Sequence, residues 1–327
     1  MYRDHTVGVV ITAYNEEGLV GDVIDSVPSF VDEVYAVDDC STDNTWAEIT
    51  EHMAMAPAET SSFPLPDGGH RSQRRVVPVR HEQNRGVGGA IKSGFQEALD
   101  SGVDIVAVMD GDGQMDPAHL DRLLDPIVDG RASYAKGNRL AKRSHIESMS
   151  WFRLFGNVLL TILTRIASGY WRMRDPQNGY NAIDTATLER IPLSQLHDRY
   201  GFRNDVLIRL SVEGATIADV TMPAVYGEEE SGIHYTAFIP RLSWLLLGRF
   251  FWRLRTELRR NWLLSPSMSE SASLFAGLVI TARLRTRERT PPWLTLLGTV
   301  LSGLLVVFTM VEERYANDET ISIEDNE

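Results

Sequence analysis

The sequence predicts an α/β domain, a Rossmann-like and mostly parallel sheet flanked by helices, followed by a C-terminal helical segment lying at or across a membrane. Three observations carry that expectation. Apolar runs too short for helical periodicity, at residues 7–12 and 33–38, end in acidic loops that open helices. A third run, at 103–109, stops abruptly at Asp110-Gly111-Asp112. Near the other end, residues 294–311 form an uncharged apolar stretch of 18 residues, at the short end of what spans a bilayer.

In chain order, the first strand, VGVVIT, ends in Ala13-Tyr14-Asn15-Glu16-Glu17. Asn15 is placed to cap a helix over 16–27, whose acidic first turn suits the positive end of its dipole. The second strand, EVYAVD, runs into Asp38-Asp39-Cys40-Ser41-Thr42-Asp43, and a helix begins near residue 44. Successive units of this kind run parallel and bring their loops to one sheet edge, where ligands bind in open α/β sheets. Residues 54–75, rich in Pro, Ser, Gly and Ala, read as an exposed insertion. RVVPVR, at 75–80, resumes as a strand whose Pro78 argues for the sheet edge. The loop from His81 through Asn84 and Arg85 to Gly86, Gly88 and Gly89 opens a helix reaching about residue 99. It follows the third strand and so fails the dinucleotide fingerprint. Its glycines allow close approach to a ligand or to a neighbouring helix, or serve packing alone.

Asp110 and Asp112 end a core strand on a backbone loosened by Gly111 and Gly113. Two carboxylates so placed can converge on one hard cation and leave sites for phosphate oxygens. Asp-Gly-Asp-Gly is equally the composition of a turn, and the stretch alone leaves both open. A helix over 117–128 leads to a strand at 132–138, where Lys136 and Arg139 supply two cations near the same edge. Residues 149–170 carry a helically spaced apolar stripe that is either core or lipid-facing, with Arg153 and Arg165 among it. Two polar and aromatic loops, RDPQNGYN at 174–181 and YGFRND at 200–205, precede a strand at 216–221 and a loop ending at His234. Residues 238–262, aromatic and arginine-rich, suit a membrane interface.

Composition narrows the partners. A formal charge of -13 excludes nucleic acid as the ligand, because phosphate backbones need a net basic face. The single cysteine, Cys40, excludes an internal disulfide and a thiol-rich metal site, and fits a reducing compartment. Lys92, Lys136 and Lys142 are the only lysines; an acid-rich, lysine-poor surface suits high-salt cytoplasm, so a haloarchaeal source is expected. No signal peptide is expected at the N-terminus. Arg283, Arg285, Arg287 and Arg289 precede the apolar stretch and an acidic tail follows it. The positive-inside bias then places the preceding domain in the cytoplasm, at the cell membrane. A second apolar stretch, at 263–280, is weaker, and one span plus an interfacial segment is expected. The expected boundaries are a catalytic domain at 1–240, an amphipathic interfacial region at 241–290, a transmembrane helix at 291–312 and an acidic tail at 313–327.

The order of the motifs is more specific than any one of them. AYNEE, VDDCSTDNT, NRGVGGA, MDGDGQMDP, KGNR, DPQNGYNAI and GFRND, taken together, resemble the family 2 glycosyltransferases with a GT-A fold, and among them the dolichyl-phosphate mannose or glucose synthase branch. The resemblance covers about residues 5–240. It implies an inverting hexosyltransferase that uses a UDP- or GDP-sugar donor, a dolichyl or polyprenyl phosphate acceptor and Mg²⁺ or Mn²⁺, for protein N-glycosylation or surface glycan assembly. It places Ala13, Tyr14 and Glu16 around the base and ribose, Asp39 and Asn84 at the nucleoside, and Asp110, Gly111 and Asp112 at the donor diphosphate, with Asp38 propping its loop. It gives the cation to Asp110, Asp112 and Gln114, and the acceptor phosphate to Arg139 and Arg153; where members of the branch carry a basic residue after the Ser of a late loop, this chain departs with Ser231-Gly232-Ile233-His234, and His234 either takes that part or is an exposed loop histidine. Asp205 stands where many inverting members keep an acidic base.

The chemistry agrees with that assignment. The leaving diphosphate gains negative charge as the anomeric bond breaks, and a divalent cation that neutralises it is worth several kcal/mol. A hydroxyl acceptor needs a general base, for which Asp205 is the candidate. A lipid phosphate is already anionic and attacks without one, leaving Asp205 to orient, while Arg139 and Arg153 hold the phosphate by charge-assisted hydrogen bonds. If His234 completes that set, activity falls as it loses its proton above about pH 6.5. Two alternatives differ in class: a transferase using a sugar hydroxyl in polysaccharide or glycolipid synthesis, and a non-catalytic membrane scaffold that binds nucleotide sugars.

Overall fold

The strands β1 (Val7–Ala13), β2 (Glu33–Asp38), β3 (Arg75–Arg80) and β4 (Ile105–Asp110) alternate with the helices α1 (Val20–Ser26), α2 (Thr45–Met55) and α3 (Val87–Ser101). All seven residues of β1 are buried, as a parallel strand covered on both faces requires. The computed structural model describes residues 1–55, 74–139, 151–222, 235–264 and 319–323. β1 lies between β2 and β4, parallel to both, with Ala13 opposite Asp38 and Thr12 opposite Asp110. That register brings the acidic ends of three strands to one edge. β3 is an edge strand, where the missing amide of Pro78 is tolerated.

The sheet continues through β5 (Tyr134–Asn138), β6 (Asn181–Asp184), β7 (Ile217–Thr221) and β8 (Thr320–Ile323), in the order β3-β2-β1-β4-β6-β5-β7-β8. β6 runs antiparallel between β4 and β5. Odd-numbered residues of β1, such as Val9 and Ile11, pack with Ile24 of α1, Ile49 of α2 and Leu123 of α4 (Leu120–Val128). Val10 faces the other side, with Ile91 and Phe95 of α3 and Leu207 of α7 (Phe202–Val212). The alternation is the two-residue period of a strand. A short helix, α6 (Thr185–Leu188), follows β6 and is capped by Asp184.

The helices α5 (Trp151–Ser168) and α8 (Tyr235–Leu264) meet over Leu160, Ala167, Ile208, Leu242 and Leu246. The apolar stripe on α5 divides. Leu160 and Ala167 are core, whereas Val158, Ile162 and Ile166 are exposed, and Trp244, Leu247 and Phe251 are exposed on α8.

Several expectations need correction. The first helix begins at Val20 rather than residue 16. Asn15 does not cap it; its backbone is left-handed, with φ 58°, and its Oδ1 accepts from the Thr42 amide at 2.9 Å. Lys136 does not reach the sheet edge, because it is buried in β5 against Asp219 at 2.6 Å. Part of the expected acidic tail is β8, whose Thr320 pairs with Ile217. After α8 the chain therefore returns to the same sheet. The expected 291–312 span, most of the 54–75 insertion, the 265–290 part of the interfacial region and His234 lie outside the described residues. Among the described residues no helix is long and apolar enough to cross a membrane.

Candidate active site

A cavity of about 430 Å³ opens where β1, β2 and β4 end. Ala13, Tyr14, Glu16, Asp39, Asn84, Asp110, Gly111 and Asp112, all expected at the donor, line it, joined by Arg199, Tyr200 and Arg203. Its rim is built by pairing two loops. Four successive amides after β1 donate to side chains of the β2–α2 unit: Asn15 to Ser41 Oγ at 2.9 Å, Glu16 to Thr45 Oγ1 at 2.8 Å, Glu17 to Asp43 Oδ2 at 3.2 Å and Gly18 to Glu48 Oε1 at 2.6 Å. The polar run after β2 is thus the partner set of the loop after β1. Asp38 holds its own loop, accepting from the Ser41 amide at 2.9 Å.

Asp39 ties in the third loop. Its carboxylate accepts from the amides of Arg85 at 2.8 Å and Gly86 at 2.6 Å, and meets His81 Nδ1 at 2.7 Å. His81 Nε2 lies 2.8 Å from Ser93 Oγ on α3. The nearby glycines serve close approach within the chain: a Cβ at Gly88 would lie 2.6 Å from the His197 carbonyl.

At the end of β4 the Gly111 amide donates to Thr12 O at 2.8 Å, and a Cβ there would sit 2.9 Å from that oxygen. This close approach turns the chain so that Asp110 and Asp112 border both the main cavity and a second one of about 90 Å³. Gln114, Asp116, His119 and Arg139 line the second cavity, and Asp112 Oδ1 accepts from the Gln114 amide at 2.9 Å. Asp110, Asp112 and Gln114 border one cavity and could hold a cation whose shell phosphate oxygens and water complete, the usual manner of Mg²⁺ at phosphate sites. No group of three His, Cys, Asp or Glu among the described residues is arranged as a closed metal cage.

Arg139 is gripped by Asp175, Nε to Oδ2 at 2.9 Å and Nη2 to Oδ1 at 3.2 Å. Burial alone would raise the pKa of Asp175, but Arg139 holds it below the ordinary carboxylate value, with Lys136 adding to the pull. Asp205 lines neither cavity. Its Oδ2 accepts from Arg249 at 2.7 Å and from the His197 amide at 3.1 Å, and Arg209 lies 3.8 Å from Oδ1. Arg203, two residues earlier on α7, does reach the cavities. Residues two apart on a helix point roughly 200° away from each other, so the two side chains leave α7 on different faces. Arg153 falls in the first turn of α5.

Residues 8–196 match the family described as Glycosyl transferase family 2. The chain belongs to that family. Among relatives of this glycosyltransferase, a UDP-N-acetylglucosamine–dolichyl-phosphate N-acetylglucosaminyltransferase from Methanococcus voltae is 28% identical over 226 residues, 69% of this chain and 88% of that one. A polyprenol monophosphomannose synthase from Mycolicibacterium smegmatis is 30% identical over 236 residues, 69% of this chain and 78% of that one. The glycosyltransferase also shares its fold with glucosyl-3-phosphoglycerate synthase from Mycobacterium tuberculosis, solved with Mn²⁺, UDP-glucose and phosphoglyceric acid. The likeness has a TM-score of 0.51 at 20% identity over 76% of this chain and 80% of that one.

Sequence reasoning missed three contributors to the glycosyltransferase site. His81 stands at the head of a quoted loop, and a strand-ending histidine beside a buried Asp39 is the signal that finds it. Asp175, quoted in DPQNGYNAI, carries no role until its two-point contact with Arg139 is seen. Arg203 lies inside GFRND, where only the aspartate is singled out.

Proposed function

We propose that this glycosyltransferase transfers a hexose, with inversion, from a UDP- or GDP-sugar to dolichyl or another polyprenyl phosphate at the cytoplasmic membrane face, serving protein N-glycosylation or surface glycan assembly. One observation carries the reading. The large cavity at the strand ends and the small cavity bearing Arg139 share Asp110, Asp112 and Arg203, so a donor diphosphate in one and an anionic acceptor in the other meet at the same carboxylates. Tyr14, 47% exposed at the cavity, offers a face to the nucleoside, and Asp39 fixes the wall beside it.

Mg²⁺ or Mn²⁺ at Asp110, Asp112 and Gln114 supplies charge neutralisation for the leaving diphosphate. Arg139, oriented by Asp175, is assigned to the acceptor phosphate, and a guanidinium is suited to such planar, two-point recognition. Arg153 is assigned to the same phosphate from the start of α5, with His234 closing the set. Asp205 is paired with Arg249 and the His197 amide, which favours an attacking group that arrives already ionised. A phosphate does so at neutral pH; a sugar hydroxyl does not. The exposed apolar residues of α5 and α8 would seat the enzyme on the lipid surface. The polyprenyl phosphates in the names of the relatives above support the same acceptor class.

Paired assays test the proposal: donor screening by thermal stability across UDP- and GDP-sugars with Mn²⁺, then turnover with dolichyl phosphate against dolichol. A donor at 100 times its Kd should add about 2.7 kcal/mol. Turnover is expected with the phosphorylated lipid alone; comparable transfer to dolichol or a saccharide would overturn the assignment.

A further inference from the structure

Arg203 holds the carboxylate expected to bind the cation. Its Nη2 lies 3.0 Å from Asp110 Oδ2 and 3.3 Å from Oδ1, and Nη1 donates to the Gln177 carbonyl at 3.2 Å. Its Nε has no hydrogen-bond partner among the described residues. The pair is built in by its surroundings. A Cβ at Gly179 would collide with the guanidinium and lie 2.8 Å from Asp110 Oδ2, so only glycine leaves room for it. Gln177, which takes Nη1, is itself held by Asn204, and Asn204 by Thr164 of α5.

We propose that Arg203 is a resident cation of the diphosphate site: it neutralises Asp110 while no metal is bound, and it passes to the donor diphosphate once a divalent cation takes that carboxylate. The proposal rests on the donor reading above. With Nη2 within reach of both Asp110 oxygens, a divalent cation competes with the guanidinium for that carboxylate, and a second positive charge beside Arg203 repels it. Arg203 lines both cavities, so the nearest new anion it meets is the diphosphate between them, which its fork of donors suits. Arg203 is a positioning residue in the free enzyme and a diphosphate ligand in the complex.

The test is a titration of Mn²⁺ alone into the full chain, followed by the Mn²⁺ spin-resonance signal. Arg203→Gln is expected to tighten Mn²⁺ binding about fivefold, the equivalent of roughly 1 kcal/mol for a partly exposed pair, while weakening nucleoside diphosphate binding in the presence of Mn²⁺. Arg203→Lys should retain near-native Mn²⁺ affinity. A general structural role predicts the opposite, weaker binding in both variants. Equal or weaker Mn²⁺ binding by Arg203→Gln overturns the proposal, and because the titration contains neither sugar nor acceptor, that outcome is distinct from failure of the acceptor assignment.

Discussion

The Asp205 carboxylate meets Arg249 at 2.7 Å where α8 packs on α7, and the same oxygen accepts the His197 amide at the cavity's outer wall. Burial raises its pKa, against the opposing pull of Arg249 and Arg209. The contact joins α8 to the loop carrying Arg199 and Tyr200, which line the cavity.

Asp205→Asn leaves Arg209 and Arg249 facing each other without an anion. Breaking a buried pair in this way costs about 3–5 kcal/mol. The expected result is a large fall in thermal midpoint, with the folded fraction retaining a rate within tenfold of native. A general base would give the reverse pattern, native stability with a rate lowered by about 10²–10⁴.

Asp112→Ala removes a carboxylate that borders both cavities but lies outside the apolar clusters. Turnover should fall by about 10² or more, the scale of losing a preorganised charge-stabilising group, with an unchanged melting profile. Retained turnover would remove Asp112 from the cation site.

Asp175 sets an acid limit. Its folded pKa is held below the ordinary 3.8 by Arg139 and Lys136 despite burial, so the unfolded chain binds more protons in acid. The stabilisation is complete above the unfolded value and is lost as pH falls through it towards the lower folded value. Between about pH 5 and pH 3 the native protein should lose more stability than Asp175→Asn does. Parallel stability curves for the two proteins would contradict the assignment.

β8 pairs with β7 in the same sheet as β1, which bears on where the two ends of the chain lie. A reporter fused before Met1 and one fused after Glu327 are expected on the same side of the membrane. Ile321 packs against the core, so Ile321→Asp should also destabilise the domain. Reporters on opposite faces would refute the pairing.

β1, β2 and β4 and the acidic loops after them are legible in the sequence because short β-branched runs buried on both faces read as parallel strands. β6 and β8 are not. NAID and TISI are too short to show a period, and only their tertiary neighbours make them strands. The donor wall is legible for the same reason as the strands, since the topology delivers every acidic loop to one edge. The roles within α7 are not, because GFRND names both Arg203 and Asp205 while helix phase decides which one meets the cavity. Lys136 shows the same limit in a strand: KGNR promises two cations, and the burial of β5 takes one of them for Asp219.

The chemistry of the product tests the central assignment most directly. After incubation with a radiolabelled nucleotide sugar, Mn²⁺ and dolichyl phosphate, thin-layer separation before and after mild acid should show a charged lipid whose label is released as free sugar. An acid-stable polymer or a neutral glycolipid as the labelled product would contradict transfer to a lipid phosphate.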